Sequence, residues 1–437
     1  MNNTPLHRNK AIYVTDPVHA GILKAGMLNW ANQFSILVFL DSNSYPSAYN
    51  GYECLLGVGM YKAVPNAGTN PLMQLQVAHM VRPDWMFGHI CYDYKNITEP
   101  KLTSAHPEKH GYPVLQFFVP QTVCYINREQ TTFTVETYDD PVTVYDAIIH
   151  AAGMPDVQMP AGISFTNITD RETYIDVVNR LRRHIADGDC YEVNYCGGGY
   201  AENVMIDPLV VFKALNKLSP APFAAFCKLN EQYMMCASPE RYLLKQDNIL
   251  VSQPIKGTAR RDKDEQKDEQ IKETLRVDIK ERAENVMIVD LVRNDLARTC
   301  ETGSVQVDEL FGIYSFPQVH QMISTVSGKL KDGLTFTDAI QASFPMGSMT
   351  GAPKFKVMQL IEKYEQARRE LFSGTIGYIT PQGDMDFNVI IRSLFYNATT
   401  HYLSYHTGGA ITFDSDPQKE WEEMRLKAWA LERLFSA

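Results

Sequence analysis

Short apolar runs closed by turn residues recur along this chain, and they constrain its fold more than any other feature. Phe34–Leu40 reads as a buried strand that ends in Asp41-Ser42-Asn43-Ser44-Tyr45-Pro46. Val114–Val119 and Thr131–Thr137 read as two more, with the turn Asn127-Arg128-Glu129-Gln130 before the second. Phe223–Lys228, Tyr233–Ala237, Glu240–Leu244 and Ile249–Ser252 follow in close order, and Gln246-Asp247-Asn248 turns the last pair. Phe372–Ile379 and Met385–Tyr396 form a hairpin around Thr380-Pro381-Gln382-Gly383-Asp384, with Arg392 on its second strand. Tyr402–His406 is a strand closed by Thr407-Gly408-Gly409-Ala410.

Helical stretches interrupt these strands. One starts at Thr169-Asp170, aligns Tyr174, Val177, Val178, Leu181 and Ile185 on one face, and stops at Gly188. Asp207-Pro208 and Asp416-Pro417 each place a capping aspartate ahead of a proline, the residue that suits a first helical turn. A long helix runs from Asp262 to about Arg298, charged at first and apolar around Val286–Val292. Strands resume around Tyr314–Gly328, and Thr337–Phe344 is a short helix. The pattern predicts an α+β protein. Residues 1–160 read as mainly β with loops. Met154–Ala161, with Pro155 and Pro160, reads as the connector to residues 161–437.

A chain of 437 residues, 45% hydrophobic, can bury a large core. Its net charge of −10 argues against nucleic acid as the main partner. The eight cysteines are scattered and form no CxxC pair, so zinc and thioredoxin-like chemistry are not indicated. Met1-Asn2-Asn3-Thr4-Pro5 lacks an apolar signal core, and no segment is long and apolar enough to span a membrane. The expected location is a reducing cytoplasm.

Three features carry chemistry. Lys256 stands inside Ser252–Arg261, between restrictive Pro254 and permissive Gly257. On such a turn an amine is either a solvated charge or, if its proton is displaced, a nucleophile. Pro345–Lys354 is a glycine-bearing loop running into a helix, which is either an anion site or a plain junction. Glu281/Glu284 and Glu420/Glu423 are ExxE pairs on two helices, and Lys427 shares a face with the second pair. Each pair is either a solvated face or half of an oxygen-only site suited to Mg²⁺. Arg392, Lys427 and the glycine-turn amides could then hold a second carboxylate.

Ala237-Ser238-Pro239-Glu240-Arg241-Tyr242, Pro254-Ile255-Lys256-Gly257-Thr258 and Asp290-Leu291-Val292-Arg293-Asn294-Asp295-Leu296 resemble the chorismate-utilising enzymes. So do Gly351-Ala352-Pro353-Lys354, the strand Met385-Asp386 to Ile391-Arg392, and the Glu420, Glu423, Lys427 helix, all in the family's order. The likeness covers roughly residues 165–434 and is weaker through Phe39–Tyr52 and Phe87–Asn96. It implies an anthranilate synthase component I-like fold: two packed antiparallel β-sheets surrounded by helices, with the N-terminal region interleaved with the core.

The resemblance also implies a reaction. Anthranilate synthases carry alanine where this chain has Lys256. A lysine there implies amination of chorismate at C4, giving 4-amino-4-deoxychorismate for 4-aminobenzoate and folate synthesis. Mg²⁺ is held chiefly by Glu284 and Glu423, with Glu281 and Glu420 supporting. Glu240 protonates the departing C4 hydroxyl. A neutral Lys256 attacks C2, and ammonia then adds at C4. Thr258, Gly257, His320, Ser348, Tyr378, Arg392, Gly408, Gly409, Ala410 and Lys427 match substrate contacts, although Ala410 stands where glycine is usual. Glu192 departs from the glutamine usual in ammonia-using members, and it is expected to help strip a proton from ammonium. The chain leaves no room for a fused glutaminase, so a separate glutamine amidotransferase partner is expected. Anthranilate synthesis, or inactive chorismate or tryptophan binding, are the competing readings.

Overall fold

The computed structural model describes residues 7–49, 51–66, 70–154, 158–317 and 319–436. Met1–Pro5, Asn50, Pro155 of the connector and Gln318 of the 314–328 stretch lie outside these residues.

Among the described residues all strand pairs are antiparallel, and the strands join into one continuous network made of two sheets that share one long strand, Leu115–Asn127. On one side this strand pairs with Tyr52–Ala63, and the sheet continues through Ile36–Asp41, Phe223–Leu229, Gln232–Ser238, Ser393–Asn397 and Tyr402–Ile411 to Glu192–Ala201. On the other it pairs with Met86–Ile90, leading through Thr375–Ile379, Met385–Asn388, Arg241–Gln246 and Ile249–Gln253 to Val319–Lys329. Ile255–Arg260 and Gln306–Ser315 both pair with Val319–Lys329.

Period-two alternation explains the layering. In Ile36–Asp41, Val38 points into the cluster between the sheets with Phe117, Met234, Leu243 and Phe387. Leu37 and Phe39 point the opposite way, against helices on the outer face. Arg241 is buried between strands, where Asp386 accepts two hydrogen bonds of 2.9 Å from its guanidinium. That bidentate pair fixes the Glu240 end of its strand.

The helix Arg171–Ala186 matches expectation, with Asp170 capping it and Tyr174, Val177, Val178 and Leu181 buried. Several expectations are corrected. Residues 1–160 contain three substantial helices, Pro17–Ala31, Pro71–Val81 and Pro141–Ala152, each opened by a capping Asp or Asn and then proline. The 262–298 helix breaks at Asp278, which ends Glu265–Val277 and caps Ile279–Ala297. The 314–328 stretch belongs to a hairpin, Gln306–Ser315 with Val319–Lys329. The Lys256 segment is a strand rather than a turn. The glycines after His406 lie within the strand Tyr402–Ile411.

We propose that the two regions form one folding unit, because Ile36–Asp41 and Met86–Ile90 pair directly with strands from beyond residue 220. A fragment of residues 161–437 is expected to lose cooperative denaturant unfolding. A native-like transition in the fragment would contradict this.

Candidate active site

One cavity of about 1440 Å³ gathers most of the residues singled out above. Its deep part holds Lys256, 9% exposed, and Glu240, 4% exposed. Gly257 and Thr258 continue the lysine's strand along the wall. Gly408, Gly409 and Ala410 form a second wall. Glu281 and Glu284 enter from Ile279–Ala297, and Glu420, Glu423 and Lys427 from Pro417–Glu432. Ser348 and Arg392 also line it.

Lys256 Nζ donates a 2.6 Å hydrogen bond to Glu192 Oε1. Glu192 is fully buried and does not line the cavity, and its Oε2 has no hydrogen-bond partner. Burial pulls the lysine pKa down, but the carboxylates of Glu192, Glu284 and Glu240 outweigh it and hold it above the ordinary value. The surroundings thus favour the ammonium, whereas the sequence reading requires the neutral amine. A base has to take its proton before it can act as a nucleophile.

Glu240 has the opposite character. Burial pushes its pKa up to about 7, although Ser348 Oγ donates a 2.6 Å bond to its Oε1 and Lys256 is nearby. A carboxyl poised near neutrality is an effective proton donor. Ser348 thus touches the acid in this structure.

Arg392 lies between the strands Met385–Asn388 and Ser393–Asn397 rather than on one continuous strand. Its φ of 53° is the left-handed region that side chains seldom adopt, and such strain clusters at functional sites. Among the described residues its guanidinium makes no hydrogen bond or ion pair, which leaves its donors for a ligand anion. Lys427 is not similarly free, because its Nζ reaches Glu423 Oε1 at 2.7 Å and Gly408 O at 2.8 Å.

Two expected contacts lie elsewhere. His320 is buried off the cavity wall, with Ser315 Oγ at 2.8 Å from Nδ1 and Asp268 Oδ1 at 2.9 Å from Nε2. Its neighbour Gln321 lines the cavity instead, and its buried Oε1 lacks a partner. Alternation along the strand puts the two side chains on opposite faces. Tyr378 packs among Tyr52, Trp85 and Phe87 and borders a separate, much smaller pocket. Asn194 and His406 line the main cavity and were not picked out from sequence. Burial drives the His406 pKa down to about 3, so it is neutral.

In the Pro345–Lys354 loop the lysine and the glycine are both committed to contacts within the chain. Lys354 Nζ is bound to Asp295 Oδ2 at 2.6 Å and Ser343 O at 2.7 Å. Gly351–Ala352 pairs with Glu192–Val193. Gly351 has φ +125°, and a Cβ there would stand 2.1 Å from Glu192 O. Only glycine allows this contact, which anchors the strand carrying Glu192.

The four helix glutamates fit a hard divalent cation. Burial, with Glu423 adding repulsion, raises the pKa of both Glu281 and Glu420. Burial likewise pushes Glu284 up to about 7, and its buried Oε1 has no hydrogen-bond partner. Lys280 Nζ is 3.7 Å from that oxygen and feels all four carboxylates. Among the described residues no three acidic, His or Cys side chains form a ready metal shell, so water or ligand oxygens would have to complete one.

The model of the family described as chorismate binding enzyme matches residues 60–433. The chain belongs to the chorismate binding enzyme family. The chain is 40% identical over 268 residues to an aminodeoxychorismate synthase of Streptomyces griseus, covering 61% of this chain and 36% of that one. It is 33% identical over 350 residues to an anthranilate synthase component I-like protein of Synechocystis, covering 79% and 71%. The match thus spans about a third of the Streptomyces relative's length. The crystal structure of anthranilate synthase component I from Streptococcus pneumoniae superposes with a TM-score of 0.73 at 22% identity, covering 99% of this chain and 94% of that one, and has the same fold.

The raised carboxyl pKa values set a pH dependence. A carboxyl raised from about 4.5 to about 7 stabilises the fold below the lower value, and that contribution is lost as pH rises through the upper one. Buried neutral His406 works the other way below about pH 6.5, so the carboxyl fall is read as the difference in denaturant unfolding between the metal-free chain and its Glu240→Gln variant, from about pH 4.5 to 7. Glu240→Gln should remove part of that fall, on the order of 3 kcal/mol. A variant with an unchanged slope would contradict the assignment.

Proposed function

We propose that this chain aminates chorismate at C4 to give 4-amino-4-deoxychorismate, through a covalent intermediate on Lys256. The observation that carries the reading is one buried lysine beside a carboxyl with a pKa near 7, in a cavity rimmed by four more carboxylates. A molecule that only bound chorismate would need neither an acid nor a nucleophile there.

In this reading Glu240 delivers its proton to the C4 hydroxyl as that group departs. Lys256 attacks C2, so ammonia is directed to C4 and yields the para product. Arg392, with its uncommitted donors, receives a substrate carboxylate. Thr258 and the Gly408-Gly409-Ala410 backbone border the ring, with Gln321 rather than His320 as the neighbouring strand's contact. Glu284 and Glu423 would hold Mg²⁺, with Glu281 and Glu420 supporting, and the ion would neutralise charge on the ring carboxylate. Ammonia comes from a glutaminase partner. The eight cysteines, all buried and unpaired, fit a reducing cytoplasm. Among the described residues no helix is long and apolar enough to cross a membrane.

Incubation with chorismate, Mg²⁺ and ammonium is expected to yield the para-amino product by mass and fluorescence. Lys256→Ala should lose at least about 100-fold in that product and divert residual turnover to the ortho isomer. Anthranilate from the unmodified chain, or unchanged chorismate, would overturn the reading.

A further inference from the structure

The chemistry above needs Lys256 without its proton, yet the carboxylates around it favour the ammonium. The structure offers one acceptor in contact. Among the described residues, Glu192 Oε1 is the only side-chain atom hydrogen-bonded to Lys256 Nζ, at 2.6 Å. Glu192 stands behind the lysine, off the cavity wall, with no exposed surface. That place suits exchange with Lys256 better than exchange with ammonia arriving through the cavity, the role expected from the sequence.

We propose that Glu192 is the base that relieves Lys256 of its proton and returns it at the end of each turnover. The inference rests on the proposed function. In the first step the N–H bond of the Lys256 ammonium breaks, and the proton moves to Glu192, leaving a neutral amine and a neutral carboxylic acid. The amine lone pair then forms the bond to C2, the ring double bonds shift, and the C4–O bond breaks. The hydroxyl leaves as water with the proton of Glu240. Ammonia adds at C4 as the C2–N bond breaks, which releases Lys256 as a neutral amine. Glu192 gives back its proton to that amine, and the new C4 ammonium re-protonates Glu240. The sum is chorismate plus ammonia to amino product plus water.

Burial supports the transfer. An ion pair held in low dielectric gains little over the neutral pair once water is expelled, and moving one proton removes both charges together. Glu192 Oε2 has no hydrogen-bond partner among the described residues, so one oxygen of the carboxyl is open to receive the proton. Geometry holds the acceptor in place, since Glu192 is clamped by its strand's pairing with Gly351–Ala352.

Single-turnover formation of the Lys256 adduct, followed by intact-protein mass with chorismate and Mg²⁺ but no ammonia, tests this. Glu192→Gln keeps the shape but cannot take a proton. With Glu284 and Glu240 still favouring the ammonium and no acceptor left in contact, it is expected to slow adduct formation at pH 7.5 by at least about 100-fold, with the rate recovering as pH rises and solvent takes the proton. Chorismate affinity should change by less than about threefold, since Glu192 does not line the cavity. Glu192→Asp, which retains a carboxyl, should be slower than the unmodified chain yet keep its pH profile, and it serves also if the glutamine variant does not fold. Wild-type rates and an unchanged pH profile in Glu192→Gln, or a rate climbing steadily with pH in Glu192→Asp, would overturn the inference and leave the proposed function standing. No adduct in the unmodified chain would overturn both.

Discussion

A lysine ammonium and a glutamate carboxylate, both withdrawn from solvent and 2.6 Å apart, set the terms for the rest of this molecule. Neither charge is tolerable alone at that depth, and removing one partner of such a pair typically costs about 3–5 kcal/mol. The two residues come from different sheets. Glu192 opens the strand Glu192–Ala201 of one, and Lys256 lies on a strand that pairs with Val319–Lys329 of the other. The pair therefore ties the sheets together where the cavity opens between them. Gly351 makes the close backbone approach that holds the glutamate's strand, and Ile255–Arg260 holds the lysine's.

Around this pair the site is organised by like charge. Glu240 and Glu284 are pushed towards neutrality by burial, and Glu281, Glu420 and Glu423 crowd the rim. Fixed repulsion of this kind is costly without a cation. Lys280 and Lys427 supply part of the compensation here. Burial and mutual repulsion at a cavity mouth separate this cluster from an ordinary solvated helix face.

Much of the fold was legible because strand alternation, turn residues and capped helices agree with one another. The helix ending at Gly188 and the hairpin around Thr380–Asp384 needed no tertiary information. The early helices at Pro17, Pro71 and Pro141 carry the same cap-then-proline signature as those at Pro208 and Pro417, so the signal was present and was outweighed by the surrounding β pattern. Other features are not local. A strand at Lys256 requires Val319–Lys329 beside it, and Pro254 and Gly257 disguise it as a turn. The break at Arg392 is a left-handed residue with no glycine to announce it. His320 and Gln321 are adjacent, and which of them faces the cavity depends on sheet register, which motif matching does not fix. The upward push on the Lys256 pKa likewise depends on three carboxylates brought in from three distant segments.

The most direct test of the account is a crystal structure of the protein with chorismate and Mg²⁺ bound. The account predicts ring C2 within about 3–3.5 Å of Lys256 Nζ, or already joined to it, with Glu240 facing the C4 oxygen. Chorismate bound out of reach of Lys256, with that lysine still committed to Glu192, would contradict it.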